Sequence, residues 1–332
     1  MNRRSLLAGL ATGLAMPSLA RAQSAPDMFA RANAHTVGII SGGLDGTYTR
    51  FAADIAAVLD GVDDLRILPI LGKGSLQNLA DLLFMRGVDV AIVQSDVLAA
   101  AAAQRVFPMI EQQVRYITKL YNEEVHIIAR PGIERLSDLG GKLVSMDNRG
   151  SGTAMTATLL FSRLGIPVQP VYAPTVDATE MLRRGDLAAM VRVTGKPARF
   201  TTPLPDGARL LSVPLSEGLL ETYLPSEFTP EDYPALVPQG ERVDTVAVGA
   251  ILAAYNHQNP DRRDRLQRFT RALYLKFESF LQPPRHPKWR DVNLAAAVPG
   301  WTRSGGPEQR PQPPQPPPPP RRPRRAQDAT GG

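Results

Sequence analysis

From residue 36 onward, short apolar runs alternate with longer stretches of helical periodicity. Three of the runs have strand length: residues 37–40, 65–71 and 88–93. After the first run, Phe51, Ile55 and Leu59 recur four residues apart, which is the spacing of one helix face. Strand, glycine- or serine-containing loop and helix thus repeat in order. This order predicts an α/β fold with a mostly parallel sheet.

A second series of the same kind begins near residue 136. Its predicted strands are 143–146, 168–172 and 187–193, and its predicted helices are 154–164 and 175–184. Two strand-like runs, at 115–121 and 125–130, precede this series. A long strand-like run at 243–254 and a helix at 261–280 follow it. The sequence therefore predicts two lobes, one of residues 34–122 plus 243–300 and one of residues 123–242. Each lobe is expected to be a mostly parallel sheet flanked by helices. Ligands of such sheets bind beyond the carboxyl ends of the strands, so we predict a ligand cleft between the lobes.

The first 22 residues have the pattern of a secretory signal peptide. Arg3 and Arg4 precede a short apolar stretch, and small residues flank Arg21, as at a cleavage site near Ala22. The two arginines fit a twin-arginine signal and also a general export signal. Either route predicts export and a periplasmic location.

Residues 301–332 form a segment rich in proline and arginine, including the run Pro316 to Pro320. Such a composition cannot bury apolar surface and favours a disordered polyproline tail. We expect this tail to lie outside the folded lobes.

The overall charge of +6 and the pI near 9.7 suggest a nucleic acid or an anionic surface as partner. The excess arginines, however, lie in the signal segment and the tail, so the part between them is close to neutral. No basic stripe with interleaved aromatics occurs there, and we expect no nucleic-acid binding. Cysteine is absent, which excludes disulfides, thiolate metal sites and cysteine nucleophiles.

Three glycine-containing loops open predicted helices, at residues 41–46, 72–75 and 150–153. The first lacks the leading glycine of a dinucleotide fingerprint, because Ser41 stands there, and the second lacks the spacing of a P-loop. Each loop fits a capped helix start, and each also fits an anion cradle of free backbone N–H groups. Three such loops in two lobes favour an anion site.

Few residues suggest catalysis. The four histidines have no metal-ligand spacing, and no catalytic residue, metal or cofactor is predicted. Glu123 or Glu124 as a general base would make a two-lobed periplasmic enzyme, and the same two residues also fit a solvated turn. Arg192, after an apolar run, is either an exposed strand-end residue or a bidentate carboxylate ligand facing the cleft.

Six segments follow one another along the chain: Ser41-Gly42-Gly43-Leu44-Asp45-Gly46-Thr47-Tyr48, Gly74-Ser75-Leu76-Gln77-Asn78-Leu79, residues 89–96, residues 120–126, residues 137–139 and Gly150-Ser151-Gly152-Thr153. In this order and spacing they resemble the TAXI solute receptors of tripartite ATP-independent periplasmic (TRAP) transporters. The likeness covers residues 36–280. Thr49-Arg50-Phe51 and Met190-Val191-Arg192-Val193 depart from the family pattern, which leaves the ligand open.

The resemblance implies a type II-like periplasmic-binding-protein fold that closes like a Venus flytrap. It implies capture of a small organic anion, a dicarboxylate or an acidic amino acid, for delivery to TRAP permease membrane subunits. With Glu123 and Arg192 added, the predicted ligand-binding residues are Gly42, Gly43, Thr47, Tyr48, Ser75, Asn78, Gln94, Asp96, Glu123, Ser151, Gly152, Thr153 and Arg192. We expect a monomeric receptor and not an enzyme; an orphan receptor read by an envelope sensor is the further alternative.

Overall fold

The computed structural model describes Met28, residues 33–44 and residues 46–304. The predicted signal peptide and all but the first four residues of the predicted tail lie outside the described residues. The chain divides into two units, Met1–His35 and Thr36–Gly332, and the strands and helices described all belong to the second unit. Among the described residues, no helix combines the length and the apolar character needed to cross a membrane.

The first half of the fold follows the predicted alternation. Its elements are β1 (Thr36–Ile40), α1 (Thr47–Leu59), β2 (Arg66–Ile70), α2 (Ser75–Phe84), β3 (Val90–Gln94), α3 (Ser95–Ala103) and the short α4 (Ile110–Gln113). Strand β1 lies between β2 and β3 and pairs with both in parallel. The loops that follow these three strands therefore meet at one edge of the sheet.

The next strand, β4 (Val114–Ala129), is a single strand of 16 residues. The sequence predicts two runs with a break at 122–124, and this prediction is wrong. Residues Asn122, Glu123 and Glu124 pair in register with a later strand, and both glutamates are buried with hydrogen-bond partners. Because both carboxyl groups have hydrogen-bond partners where they stand, the strand continues through these residues without a turn.

The second half repeats the alternation and then returns to the first. Its elements are β5 (Leu143–Ser145), α5 (Gly152–Arg163), β6 (Gln169–Val171), α6 (Thr175–Arg184), β7 (Ala189–Thr194), β8 (Arg209–Leu210), α7 (Glu217–Leu220), β9 (Leu224–Phe228), β10 (Val243–Tyr255), α8 (Pro260–Leu275) and α9 (Phe277–Phe280). The predicted helix at 261–280 is thus two helices, which meet at Lys276.

One sheet connects the two halves, in the order β2-β1-β3-β10-β4-β7-β5-β6. The predicted parallel pairing is present within each half, in β2-β1-β3 and in β7-β5-β6. The two long strands β4 and β10 run antiparallel to each other and to these neighbours. Both strands pass through both halves, because the chain crosses from the first half to the second along β4 and returns along β10.

The hydrophobic cores divide along these two strands. On β4, Tyr121 packs in a core with β1 and α1, whereas Val125 packs in a core with α5 and β7. On β10, Val248 belongs to the second core and Ala250 to the first. The molecule is a two-lobed α/β fold, and its lobes contact each other where the loops of the two halves face.

Candidate binding cleft

A cavity of about 280 Å³ lies between the two halves, and both contribute to its wall. Its lining residues are Gly42, Gly43, Leu44, Gly46, Thr47, Tyr48, Gly72, Lys73, Gly74, Ser75, Gln94, Glu123, Asp147, Asn148, Ser151, Gly152, Thr153, Pro174, Thr175, Val176, Arg192, Val193 and Thr194. We call this cavity the cleft. Its volume is at the lower end of ligand pockets, which start at about 300 Å³, so its size suits a small molecule.

Four helices of ten or more residues begin at the wall of the cleft. They are α1, α2, α5 and α6, which begin at Thr47, Ser75, Gly152 and Thr175. The first turn of a helix has backbone N–H groups without helical partners, and the helix dipole places partial positive charge there. Four such ends around one small cavity favour a negatively charged occupant.

Glycine at position 152 allows the two halves to approach closely. A Cβ atom on Gly152 would lie 1.5 Å from the Oε1 atom of Gln94 and 2.7 Å from the Oγ atom of Ser75. On the facing loop, a Cβ atom on Gly74 would lie 3.2 Å from the Cα atom of Ser151. The N-termini of α2 and α5 therefore meet across the cleft almost backbone to backbone.

Further contacts join the halves around the cleft. The hydroxyls of Thr47 and Thr194 are 3.1 Å apart. The backbone N–H group of Gln77 donates to the carbonyl oxygen of Gly150 at 3.0 Å. The two halves are thus in direct contact beside the cleft.

The inner wall of the cleft carries a buried carboxyl group. Glu123 is 3 % exposed and accepts hydrogen bonds from the hydroxyls of Tyr48 at 2.6 Å and Tyr121 at 3.4 Å. Burial, opposed by the bond from Tyr48, raises the pKa of Glu123 to about 8. The group is therefore mostly protonated and uncharged near pH 7.

Arg192 brings positive charge to the wall of the cleft. It lies inside β7, where the sequence places it at the end of a strand, and it is 7 % exposed. Its guanidinium donates to the carbonyl oxygen of Arg199 and lies 5.6 Å from the centre of the Phe200 ring. Lys73 also lines the cleft, so two cationic side chains reach it.

Asp147 is a second acidic residue in the lining. Its backbone is in the left-handed region, with φ of 61°, and its carboxylate accepts from the Asn148 amide at 3.2 Å. Burial raises its pKa, and the charge of Arg192 partly offsets this. Arg192 therefore lies near enough to Asp147 to influence its charge, and both residues line the cleft.

The family model described as the NMT1-like family matches residues 39–300. The chain belongs to the NMT1-like family. Three solved structures resemble it distantly. The alkanesulfonate-binding protein SsuA from Xanthomonas axonopodis pv. citri bound to MOPS is 15% identical, with 76% of each chain covered and a TM-score of 0.47.

A structure described as a periplasmic transporter is 12% identical, covers 77% of this chain and 87% of its own, and has a TM-score of 0.49. The effector-binding domain of QuiR in complex with shikimate is 11% identical, covers 71% and 95%, and has a TM-score of 0.42. Likenesses this distant say nothing about the ligand of the present NMT1-like protein.

All of the residues predicted to bind ligand line the cleft of this NMT1-like protein except Asn78 and Asp96. Asn78 is fully buried behind the cleft, where its amide donates to the carbonyl oxygens of Ser41 and Ile92. It ties the loop after β1 to strand β3.

Asp96 also lies outside the lining. Its carboxylate accepts from the hydroxyls of Thr156 at 2.7 Å and Tyr223 at 3.2 Å, both from the other half, and from the amide of Val97 at 2.8 Å. It is 3 % exposed, and burial raises its pKa. Asp96 therefore joins the two halves beside the cleft instead of facing a ligand.

Glu124, the alternative candidate for a general base, points away from the cleft. Its carboxylate accepts from the ammonium of Lys288 at 2.9 Å and from the amide of Lys196 at 2.8 Å. Within the described part of the chain, no histidine lines the cleft and no acidic or histidine cluster fits a metal ion. Buried between two lysines, Glu124 contributes to the connection between the halves.

Sequence reasoning places five further lining residues in the predicted anion-binding loops without naming them as ligand-binding residues: Leu44, Gly46, Gly72, Lys73 and Gly74. It predicts no ligand contact for seven others: Asp147, Asn148, Pro174, Thr175, Val176, Val193 and Thr194. A usable signal exists for Asp147 and Thr175, because both follow strands that pair in parallel, β5 and β6, and the loops after such strands meet at one edge. No local signal marks Thr194, which reaches the cleft from the end of β7.

Proposed function

We propose that this protein is a periplasmic solute receptor of the TAXI type, which captures a small organic anion by closing the cleft and delivers it to a TRAP permease. The ligand is a dicarboxylate or an acidic amino acid. The observation that carries the proposal is the convergence of four helix N-termini and Arg192 on one cavity of about 280 Å³.

The charge of the cleft supports an anionic ligand. Each helix N-terminus stabilises a nearby anion by about 0.3–1 kcal/mol, and an arginine–carboxylate bond adds about 1.5–3 kcal/mol. Glu123 does not oppose such a ligand near neutral pH, because burial keeps it protonated. As a neutral acid, Glu123 can donate a hydrogen bond to a ligand carboxylate.

Opening and closing of the cleft follows from the topology. Residues of both halves line the cavity, so separation of the halves would widen the entrance for a ligand. Strands β4 and β10 pass through both cores, and a hinge between two lobes is a common device of ligand receptors. We infer that the strands bend near Glu124 and Gly249, where the two cores meet.

The export signal and the segments that resemble TAXI receptors support periplasmic delivery to a membrane permease. Glu124 is committed to Lys196 and Lys288, which argues against a role as catalytic base. We propose a receptor that acts as a monomer and catalyses no reaction.

A thermal-shift panel tests the proposed function. The mature protein is heated with succinate, malate, 2-oxoglutarate, L-aspartate and L-glutamate, and with L-lysine as a cationic control. We expect at least one of the acids to raise the unfolding midpoint in proportion to the logarithm of its concentration. Folded protein that responds to none of the acids would contradict the proposal.

Glu123 provides a test that separates the two ligand classes. A bound dicarboxylate places negative charge beside Glu123 and raises its pKa further, so binding near pH 8 takes up protons. An ammonium group placed against Glu123 lowers its pKa, so an amino acid releases protons. Calorimetric titration at pH 8 in phosphate and in Tris measures the sign from the difference between the two binding enthalpies.

The matched control is Glu123→Gln, which keeps the shape and cannot titrate. In this variant we expect the buffer dependence of the enthalpy to disappear. The pKa of Glu123 is higher in the folded protein than its usual value of 4.5. Between pH 4.5 and pH 8 the folded protein therefore binds a proton that the unfolded chain does not. The free energy of unfolding that Glu123 contributes accordingly falls as the pH rises through this range. Buffer dependence that survives in Glu123→Gln would assign the proton to another group.

A further inference from the structure

His126 stands on β4 directly opposite Arg192 on β7, and its imidazole is completely buried. Its Nδ1 atom lies 2.9 Å from the carbonyl oxygen of Glu124 and 3.3 Å from that of Arg192. Carbonyl oxygens only accept, so Nδ1 carries the hydrogen. Burial lowers the pKa of His126 to about 3, and the neutral ring therefore has a bare, accepting Nε2 atom.

This tautomer fixes the direction of the next hydrogen bonds. The hydroxyl of Tyr233 lies 2.6 Å from Nε2 of His126, so it must donate its hydrogen there. Its oxygen then accepts from the backbone amide of Ala198. Tyr233 thus connects the buried histidine to the segment 195–200, and every donor and acceptor in this chain is satisfied.

Segment 195–200 follows β7 and contacts the guanidinium of Arg192. Arg199 supplies a carbonyl oxygen to the guanidinium, and Phe200 supplies a ring face at 5.6 Å. Lys196 fixes the start of the segment, since its amide donates to Glu124 at 2.8 Å and its ammonium contacts Asp232 at 2.9 Å. The segment is held at one end by Lys196 and at its middle by Tyr233.

We propose that Tyr233 is a positioning residue for Arg192: through its hydroxyl it holds segment 195–200 against the guanidinium, and so fixes the cation at the wall of the cleft. An arginine side chain has many rotamers and loses conformational entropy when it is ordered. A cation that is ordered before binding loses less on binding, which increases affinity. The role of Arg192 as carboxylate ligand rests on the proposed function, whereas the ordering of its guanidinium does not.

Tyr233→Phe removes the hydroxyl and keeps the ring. We expect the Arg192 Nε–H signal in side-chain NMR spectra, assigned by its loss in Arg192→Ala, to broaden or shift toward that of a solvent-exposed arginine. We also expect succinate or L-glutamate, whichever binds the wild type, to bind about five- to tenfold more weakly, a loss of roughly 1 kcal/mol. The control is Tyr274→Phe. The hydroxyl of Tyr274 donates to the carbonyl oxygen of Ile117, both residues lie in the half that does not contain Arg192, and we expect the variant to leave both readouts unchanged.

A double-mutant cycle separates positioning from a general structural effect. In the Arg192→Ala background, Tyr233→Phe should cause no further loss of affinity. An equal loss in both backgrounds, or an unchanged Arg192 signal in Tyr233→Phe, would overturn the proposal.

If Tyr233→Phe does not fold, Phe200→Leu is the alternative variant, because Phe200 is partly exposed and its ring lies against the Arg192 guanidinium. We expect the Arg192 signal to change in the same way. An unchanged signal would overturn the proposal. If no anion binds the wild type, the proposed function fails, and the NMR signal still decides whether Tyr233 orders Arg192.

Discussion

Replacing Arg192 with alanine is expected to weaken binding of a dicarboxylate or an acidic amino acid by more than about tenfold. A hydrogen bond to a charged group contributes about 1.5–3 kcal/mol, which corresponds to roughly 10- to 150-fold in affinity. Calorimetric titration of the acid that binds the wild type measures the effect. Arg192→Lys should recover only part of the loss, because a single ammonium cannot bind a carboxylate bidentately.

Arg199→Ala is the matched control for this variant. Arg199 lies in segment 195–200, and its side chain is exposed. It contacts Arg192 through its backbone carbonyl oxygen. Its removal keeps that carbonyl and removes the same charge from the protein. An affinity that falls equally in both variants would show that net charge, and not the position of Arg192, is what the ligand senses. An unchanged affinity in Arg192→Ala would remove Arg192 from the site.

Replacing Gly152 with alanine is expected to weaken binding still more, by about 100-fold. The added methyl group would overlap the side chain of Gln94, with 1.5 Å to Oε1 and 2.5 Å to Cδ. Gln94 is 2 % exposed and bonded to Ser75, so it cannot simply turn away into solvent. The N-terminus of α5 must then stay farther from the first half, and the cleft cannot close fully.

Calorimetry and small-angle X-ray scattering together measure this effect. We expect ligand to reduce the radius of gyration of the wild type and to leave that of Gly152→Ala nearly unchanged. Gly218→Ala is the control, because a Cβ atom there has no neighbour within 4 Å. Normal affinity and normal compaction in Gly152→Ala would contradict closure across this contact.

Much of this fold could be predicted from the sequence because its elements have strong periodic signals. The strands 37–40 and 88–93 and the helix 175–184 agree closely with β1, β3 and α6. The path of β4 could not be predicted, because three polar residues in a row are typical of a turn. Only pairing with β10 and burial of the two glutamates, which are long-range facts, keep that strand continuous.

The cleft could be predicted in part for the same physical reason. Glycine- and serine-containing loops after parallel strands lie at one edge of a sheet, so the loops at 41–46, 72–75 and 150–153 were candidates from their place in the pattern. Asn78 lies on α2, which one of these loops opens, and Asp96 lies on α3, which follows β3 directly, yet the side chains of both satisfy partners outside the cleft lining. Sequence spacing places a residue near a site and does not decide which way it faces.

The support of Arg192 illustrates what local sequence cannot show. His126 and Tyr233 are 107 residues apart, and the segment 120–126, which contains His126, does not point to Tyr233. Their connection depends on the tautomer that two backbone carbonyls impose on the imidazole. Only the assembled structure contains that information.

The most direct test of the account is to titrate the wild-type protein with the most stabilising acid of the panel and with the uncharged amide of the same acid. The two molecules have nearly the same shape and differ in the charge that the helix N-termini and Arg192 are proposed to bind. We predict that the acid binds and that the amide binds at least about 100-fold more weakly. Equal affinity for the acid and its amide would contradict a cleft built for an organic anion.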